Sequence, residues 1–89
     1  MNETQDKIRV DKWLWFARVV KTRGLAQELA GSGHVRIGGR RITSVAQIVR
    51  IGDVLTIALH GHVRVLKVIG FPERRGSAPE AQQHYEELC

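Results

Sequence analysis

Two arginines forced side by side are the first chemistry this sequence offers. In the stretch His34-Val35-Arg36-Ile37-Gly38-Gly39-Arg40-Arg41-Ile42, the Gly38-Gly39 pair supplies the two positive-φ positions of a two-residue type I′ turn, which sets the register. Ile37 then faces Arg40, Arg36 faces Arg41, and Val35 faces Ile42. The pleat puts Val35, Ile37 and Ile42 on one side and His34, Arg36, Arg41 and Thr43 on the other. Like charges directly opposite each other cost up to about 1 kcal/mol. Nothing structural is gained in return, whereas an anion lying across the pair reverses the sign. Arg40, on the Ile37 side, is expected to matter less.

A second group of anion-seeking residues lies just upstream. Thr22 is placed to cap a helix from Arg23 to about Ala30, which ends at Gly31-Ser32-Gly33. A helix start offers free N–H groups and a positive dipole end that suit a phosphate oxygen, and Arg23 immediately follows the cap. Arg23 and Gln27 are one turn apart, and Lys21 sits in the corner before them. With Lys12 and Arg18 from a preceding helix and Arg36 and Arg41 from the hairpin, these residues are expected to share one surface. Trp15 either stacks on a base there or is covered as part of a secondary core. An exposed Trp15-Phe16 pair would be a large apolar patch, which favours the covered reading.

Other chemistries find little support. His60 and His62 flank a turn glycine and have no third ligand nearby in sequence, so no metal is expected. Cys89 is the only cysteine and has no base beside it, which excludes an intramolecular disulfide and gives no nucleophile. The carboxylates are scattered, and no Gly-rich phosphate loop is present. The reading is a non-enzyme that needs no cofactor. No apolar run reaches the roughly 20 residues of a membrane span, and the N-terminus lacks a signal-type apolar run. A soluble protein in a reducing, cytoplasmic setting is expected.

The elements that must position these groups follow from periodicity. Asp11 reads as the N-cap of a first helix running to about Val20, with Val10, Trp13, Leu14, Ala17 and Val20 on its core side. Lys12, Trp15, Phe16, Arg18 and Val19 fall on the opposite side. After the hairpin, Ser44 to Arg50 reads as a connection and Gly52-Asp53 as a turn. Leu55, Ile57 and Leu59 alternate on one strand and Val63 to Ile69 form another. Ser77-Ala78-Pro79-Glu80 is a capping box that opens a last helix near Glu80 to Leu88, pinned by Tyr85 and Leu88. The 89 residues make one domain, an α+β fold with two N-terminal helices on a small, mostly antiparallel sheet and a short C-terminal helix. Residues 8–70 form its body and residues 71–89 a tail.

Charge is unevenly placed along this frame. Lys7 to Arg50 holds ten Lys/Arg against two Asp/Glu, while the rest of the chain is mildly acidic and the whole is +5. Such a block points to a polyanion. Nucleic acid, RNA or DNA, comes first, ahead of an acidic membrane surface or an acidic protein.

The order and spacing of these motifs are familiar. Arg9-Val10-Asp11-Lys12 opens a helix, Thr22-Arg23 opens the next, Gly33-His34-Val35-Arg36-Ile37-Gly38 makes the hairpin, and Gly52-Asp53 precedes a strand. Together they resemble the RNA-binding domain superfamily named for bacterial small-subunit ribosomal protein four, over about Ile8 to Ile57. Lys12-Trp13-Leu14-Trp15, Ala17-Arg18, Lys21-Thr22-Arg23, Glu73-Arg74-Arg75 and Tyr85-Glu86-Glu87 are similar to its ribosome-associated heat-shock branch. The resemblance implies an αL-type RNA-binding fold that binds large-subunit ribosomal RNA. It also implies a role in rescue or recycling of stalled large subunits that still carry nascent chain and tRNA. Its pattern positions are Arg9, Lys12, Arg18, Thr22, Arg23, Gln27, Arg36 and Arg41; Lys21 and His34 adjoin them as further RNA-binding candidates. The superfamily usually has Asn-Gly where this chain has Gly38-Gly39, a change that keeps the turn and loses one polar side chain. Alternatives are a tRNA-binding or ribosome quality-control cofactor, and a basic adaptor for an acidic protein. A monomer is expected.

Overall fold

A computed structural model describes residues 7–59, 61–72 and 76–88. His60, Cys89 and Glu73-Arg74-Arg75, which entered the sequence reading, lie outside the described residues. The elements are β1 (Lys7–Arg9), α1 (Val10–Phe16), α2 (Arg23–Gly31), β2 (Val35–Ile37), β3 (Arg40–Ile42), β4 (Ile48–Arg50), β5 (Val54–Leu59), β6 (His62–Val68), α3 (Ala78–Ala81) and β7 (Tyr85–Glu87), with a 3-10 turn at Gln82–His84. The two larger helices pack on an antiparallel five-stranded sheet of order β3-β2-β5-β6-β7. The hairpin has the expected register, Val35 opposite Ile42, Arg36 opposite Arg41 and Ile37 opposite Arg40, with Gly38 and Gly39 at φ 59° and 84°.

The first helix differs from its sequence reading at both ends. Asp11 is not its cap: β1 pairs with β4 and runs directly into the helix, so Arg9 takes the N-cap position and Asp11 lies inside the first turn, fully buried. Neither short strand was foreseen, because the two pair across a long stretch of chain, Lys7 opposite Arg50, with no turn joining them to set a register. The helix stops at Phe16, not Val20. Arg18 takes φ +60°, Val19 N–H donates to the Leu14 carbonyl at 3.0 Å, and Arg18 N–H donates to that of Trp15 at 3.1 Å. This is a Schellman ending with arginine in the left-handed position that glycine usually fills. It turns Val19 inward, so both Val19 and Val20 join Val10, Trp13, Leu14 and Ala17 in the core, where Val19 was expected on the outer side. Trp13 is fully buried, and its indole N–H reaches the Gly70 carbonyl at 3.1 Å.

The C-terminal segment is a second correction. Ser77 and Glu80 form the capping box, but the helix they open covers only Ala78–Ala81. Tyr85–Glu87 instead extends the sheet, with Val68 opposite Tyr85 and Leu66 opposite Glu87. Open hydrogen-bonding groups along β6 offer more to this segment than a helix of marginal length could. Tyr85 meets Trp13 edge to face with ring centres 6.2 Å apart, while Leu88, read as a second pin, is half exposed.

Arg64 and Glu87 hold this last strand through two hydrogen bonds of 2.8 and 2.9 Å. The Arg64 guanidinium holds the Glu87 carboxyl below its ordinary value of 4.5, against a small opposing effect of burial. A carboxyl depressed in this way stabilises the fold fully above pH 4.5 and loses that contribution as the pH falls through its folded-state value. The Glu87 side chain is 41% exposed, so water screens the pair and its contribution is under about 1 kcal/mol. Glu87→Gln should therefore lower the thermal midpoint slightly at pH 7 and match the parent at strongly acidic pH. A difference that persists in acid would show that packing, not charge, holds β7.

Candidate nucleic-acid interface

The buried Asp11 carboxylate gathers the N-terminal group of cations. Its Oδ1 accepts from Arg9 Nε at 3.1 Å and from the Lys12 amide at 2.8 Å, and its Oδ2 accepts from Arg9 Nη2 at 3.1 Å and Gln27 Nε2 at 3.3 Å. Arg23 Nε stands 3.6 Å from Oδ2, an ion pair beyond hydrogen-bond reach, and this buried nitrogen finds no partner among the described residues. Asp11 is 0% exposed, whereas Arg9 and Arg23 are 43% and 41% exposed. One negative charge thus fixes two positive ones and leaves a cationic surplus facing water.

Helix α2 begins beside this cluster as its sequence predicts. Thr22 Oγ1 accepts from Leu25 N–H at 3.1 Å, and Arg23 occupies the first turn. Ala26, Leu29 and Ala30 bury the opposite stripe, which leaves Gln27 free to reach Asp11. Lys21 and Thr22 are exposed in the corner between the helices.

The hairpin forms a second group past the other end of α2, a helix of nine residues and so about 13 Å long. Arg36 and Arg41 are both exposed, on the sheet face opposite the buried Val35 and Ile42. A two-residue turn makes the Ile37–Arg40 pair hydrogen-bonded and the Arg36–Arg41 pair the closer, non-hydrogen-bonded kind. Arg41 lies across Gly33: a Cβ there would stand 3.1 Å from Arg41 Cδ, and the residue has φ +83°. His34 joins this end, its Nδ1 2.6 Å from Ser32 Oγ.

Two candidates are engaged elsewhere. Arg18 Nε donates to the Gly76 carbonyl at 2.5 Å, tying the helix corner to the C-terminal segment. Lys12 Nζ lies 5.4 Å over the Phe16 ring. Trp15 is half-buried against the core and tilted onto Phe16, with ring centres 5.5 Å apart. The structure therefore brings Arg9, Arg23 and Gln27 together, pairs Arg36 with Arg41, and places Arg18 and Lys12 toward the C-terminal segment.

The residue that sequence reasoning missed is Asp11. Its signal was available: only Asp11 and Glu28 are acidic between Lys7 and Arg50, and Asp11 falls between Arg9 and Lys12.

A helix pair opening on a polar cluster and leading into a cationic hairpin is the arrangement of an S4 domain. The S4 domain family model matches residues 8–55, more than half of the chain, and the chain belongs to that family. Within it the similarity is to heat shock protein 15. The chain is 37% identical over 83 residues to the Heat shock protein 15 homolog of Haemophilus influenzae, covering 93% of this chain and 63% of that protein. With Heat shock protein 15 of Escherichia coli K12 it shares 40% identity over 83 residues, 93% of this chain and 62% of that one. The chain thus spans slightly under two thirds of these curated relatives. The trimeric structure of Vibrio cholerae Heat Shock Protein 15 superposes with a TM-score of 0.85 at 36% identity, covering 93% of this chain and 83% of that one.

Asp11→Asn keeps the size of the side chain but removes its charge and puts an NH2 group where an oxygen now accepts from Arg9 or Gln27. A stability loss of about 1–3 kcal/mol is expected in denaturant unfolding. A loss under about 0.5 kcal/mol would mean the cluster does not depend on the carboxylate.

Proposed function

We propose that the protein is a non-enzymatic, ribosome-associated RNA-binding module that docks on structured ribosomal RNA of the large subunit. Residues 8–70 carry the binding and residues 71–89 accompany them. The observation that carries this reading is the cationic surplus around Asp11, where Arg9 is held by two hydrogen bonds, Arg23 lies within ion-pair distance, and both remain two-fifths exposed. Phosphate contacts from Arg9, Lys12, Lys21, Arg23, Arg36 and Arg41 supply most of the affinity, with His34 beside the hairpin pair. Thr22 and Gln27 set register, and Arg18 contributes through the guanidinium nitrogens that Gly76 does not take. The role we infer is on large subunits that retain nascent chain and tRNA, in rescue or recycling, within the cytoplasm, as the resemblance to the ribosome-associated heat-shock branch implies. No helix of the described residues is long and apolar enough to cross a membrane. A monomeric binding unit is part of this proposal, in contrast to the trimer named for the Vibrio cholerae structure, and is tested by the mass of the free and bound protein.

Co-sedimentation with purified large subunits tests the reading. Binding should be abolished by high salt, each phosphate contact adding roughly −0.7 to −0.9 to the log–log slope. Arg36→Ala and Arg41→Ala should each weaken binding and flatten that slope, with little loss of folding stability because the remaining arginine loses a repelling neighbour. Unchanged affinity and slope would exclude the hairpin from the interface. Retention of a protein partner after nuclease treatment would favour an adaptor instead.

A further inference from the structure

A cavity of about 360 Å³ opens between the end of α1 and the C-terminal segment, away from the Asp11 cluster and the hairpin. We propose that it takes one unpaired nucleotide of the bound RNA, its base seated among the apolar walls and its phosphate on Lys12 and Arg18. This site rests on the RNA-binding reading above and adds a ligand position to it. Phe16, Phe71, Pro72 and Ala81 supply the apolar walls. Two phenyl rings and a proline ring are the surfaces on which bases stack, whatever the base. The rim is polar: the His84 ring and the Gly76 carbonyl line it, as does Glu80, whose Oε1 is already held by the Ser77 N–H and hydroxyl. A purely fatty ligand would leave such groups unmatched, whereas the edge of a base answers them.

Charge fits the same occupant. Lys12 Nζ lies over Phe16, and Arg18 binds the carbonyl of Gly76, so two cations border a cavity that contains those two residues. Lys12 adjoins Asp11 in α1, so the same helix carries the centre of the arginine cluster and a cation at this mouth. The volume lies at the low end of the roughly 300–1,000 Å³ of small-molecule sites, the scale of a single base and too small for a folded segment. Phe16 is thus the half of the Trp15-Phe16 pair that is placed to stack.

The test uses the full chain, isotope-labelled, titrated with the four nucleoside 5′-monophosphates and separately with inorganic phosphate. The monophosphates should shift the amide resonances of Phe16, Phe71, Ala81 and His84, and inorganic phosphate those of Lys12 and Arg18 alone. Phe16→Leu, which keeps an apolar side chain and loses the ring, should remove the base-dependent shifts. It should weaken binding to a ribosomal RNA hairpin bearing one bulged nucleotide by about tenfold, while leaving the fully paired hairpin unaffected. Phe71→Leu provides the same comparison should Phe16→Leu unfold. Cavity amides that ignore the monophosphates, or equal losses on both RNAs, would overturn the site while RNA binding itself stands. Failure of the parent chain to bind either RNA would overturn the function with it.

Discussion

Burying a carboxylate costs several kcal/mol unless donors match its oxygens, and in this protein the donors that match Asp11 come from three places in the chain. Arg9 leads in from β1, the Lys12 amide belongs to α1, and Gln27 reaches across from α2, while Arg23 at the start of that helix adds a longer ion pair of 3.6 Å. The angle and spacing of the two helices are therefore coupled to the orientation of the arginines. Exposed arginines are otherwise free to sample many rotamers, and ordering them on an anion costs entropy. Here the Arg9 guanidinium is already ordered by two hydrogen bonds to Asp11, which lowers the entropy that ordering it on an anion costs.

The same economy of parts appears at the helix corner. Arg18 accepts a left-handed backbone that glycine would adopt more easily, and in that position it closes α1, turns Val19 into the core and reaches Gly76. Tyr85 packs on Trp13 and Arg18 reaches Gly76, so the C-terminal segment is fastened to α1 and to the corner that follows it, while Trp13 also holds Gly70 just before that segment. The cavity lies where this fastening leaves a gap, bordered by cations that belong to the helix corner.

What the sequence disclosed depended on how locally each feature is determined. The hairpin was legible to the residue because Gly38-Gly39 admits one register and alternation does the rest. Thr22 was legible because an N-cap acts within three residues. The end of α1 was not, since Arg18 carries no local mark of a positive φ and Val19-Val20 fit a continuing helical stripe equally well. Asp11 was misread for a related reason: an acidic residue before an apolar run looks like a cap, and only the pairing of β1 with β4 moves the helix start back to Arg9. Tyr85–Glu87 follows a valid capping box, and only the open edge of β6 draws it into a strand. The misreadings thus share a cause, which is that contacts distant in sequence outweighed a plausible local preference.

The central claim is that Asp11 serves RNA binding through the arginines it holds. A double-mutant cycle on ribosomal RNA affinity and its salt slope, with Asp11→Asn made in the parent chain and in the Arg9→Ala/Arg23→Ala chain, tests it most directly. The account predicts that Asp11→Asn weakens binding and flattens the slope in the parent and changes neither once both arginines are gone. Equal losses in the two backgrounds would contradict it and reduce Asp11 to a residue of the fold alone.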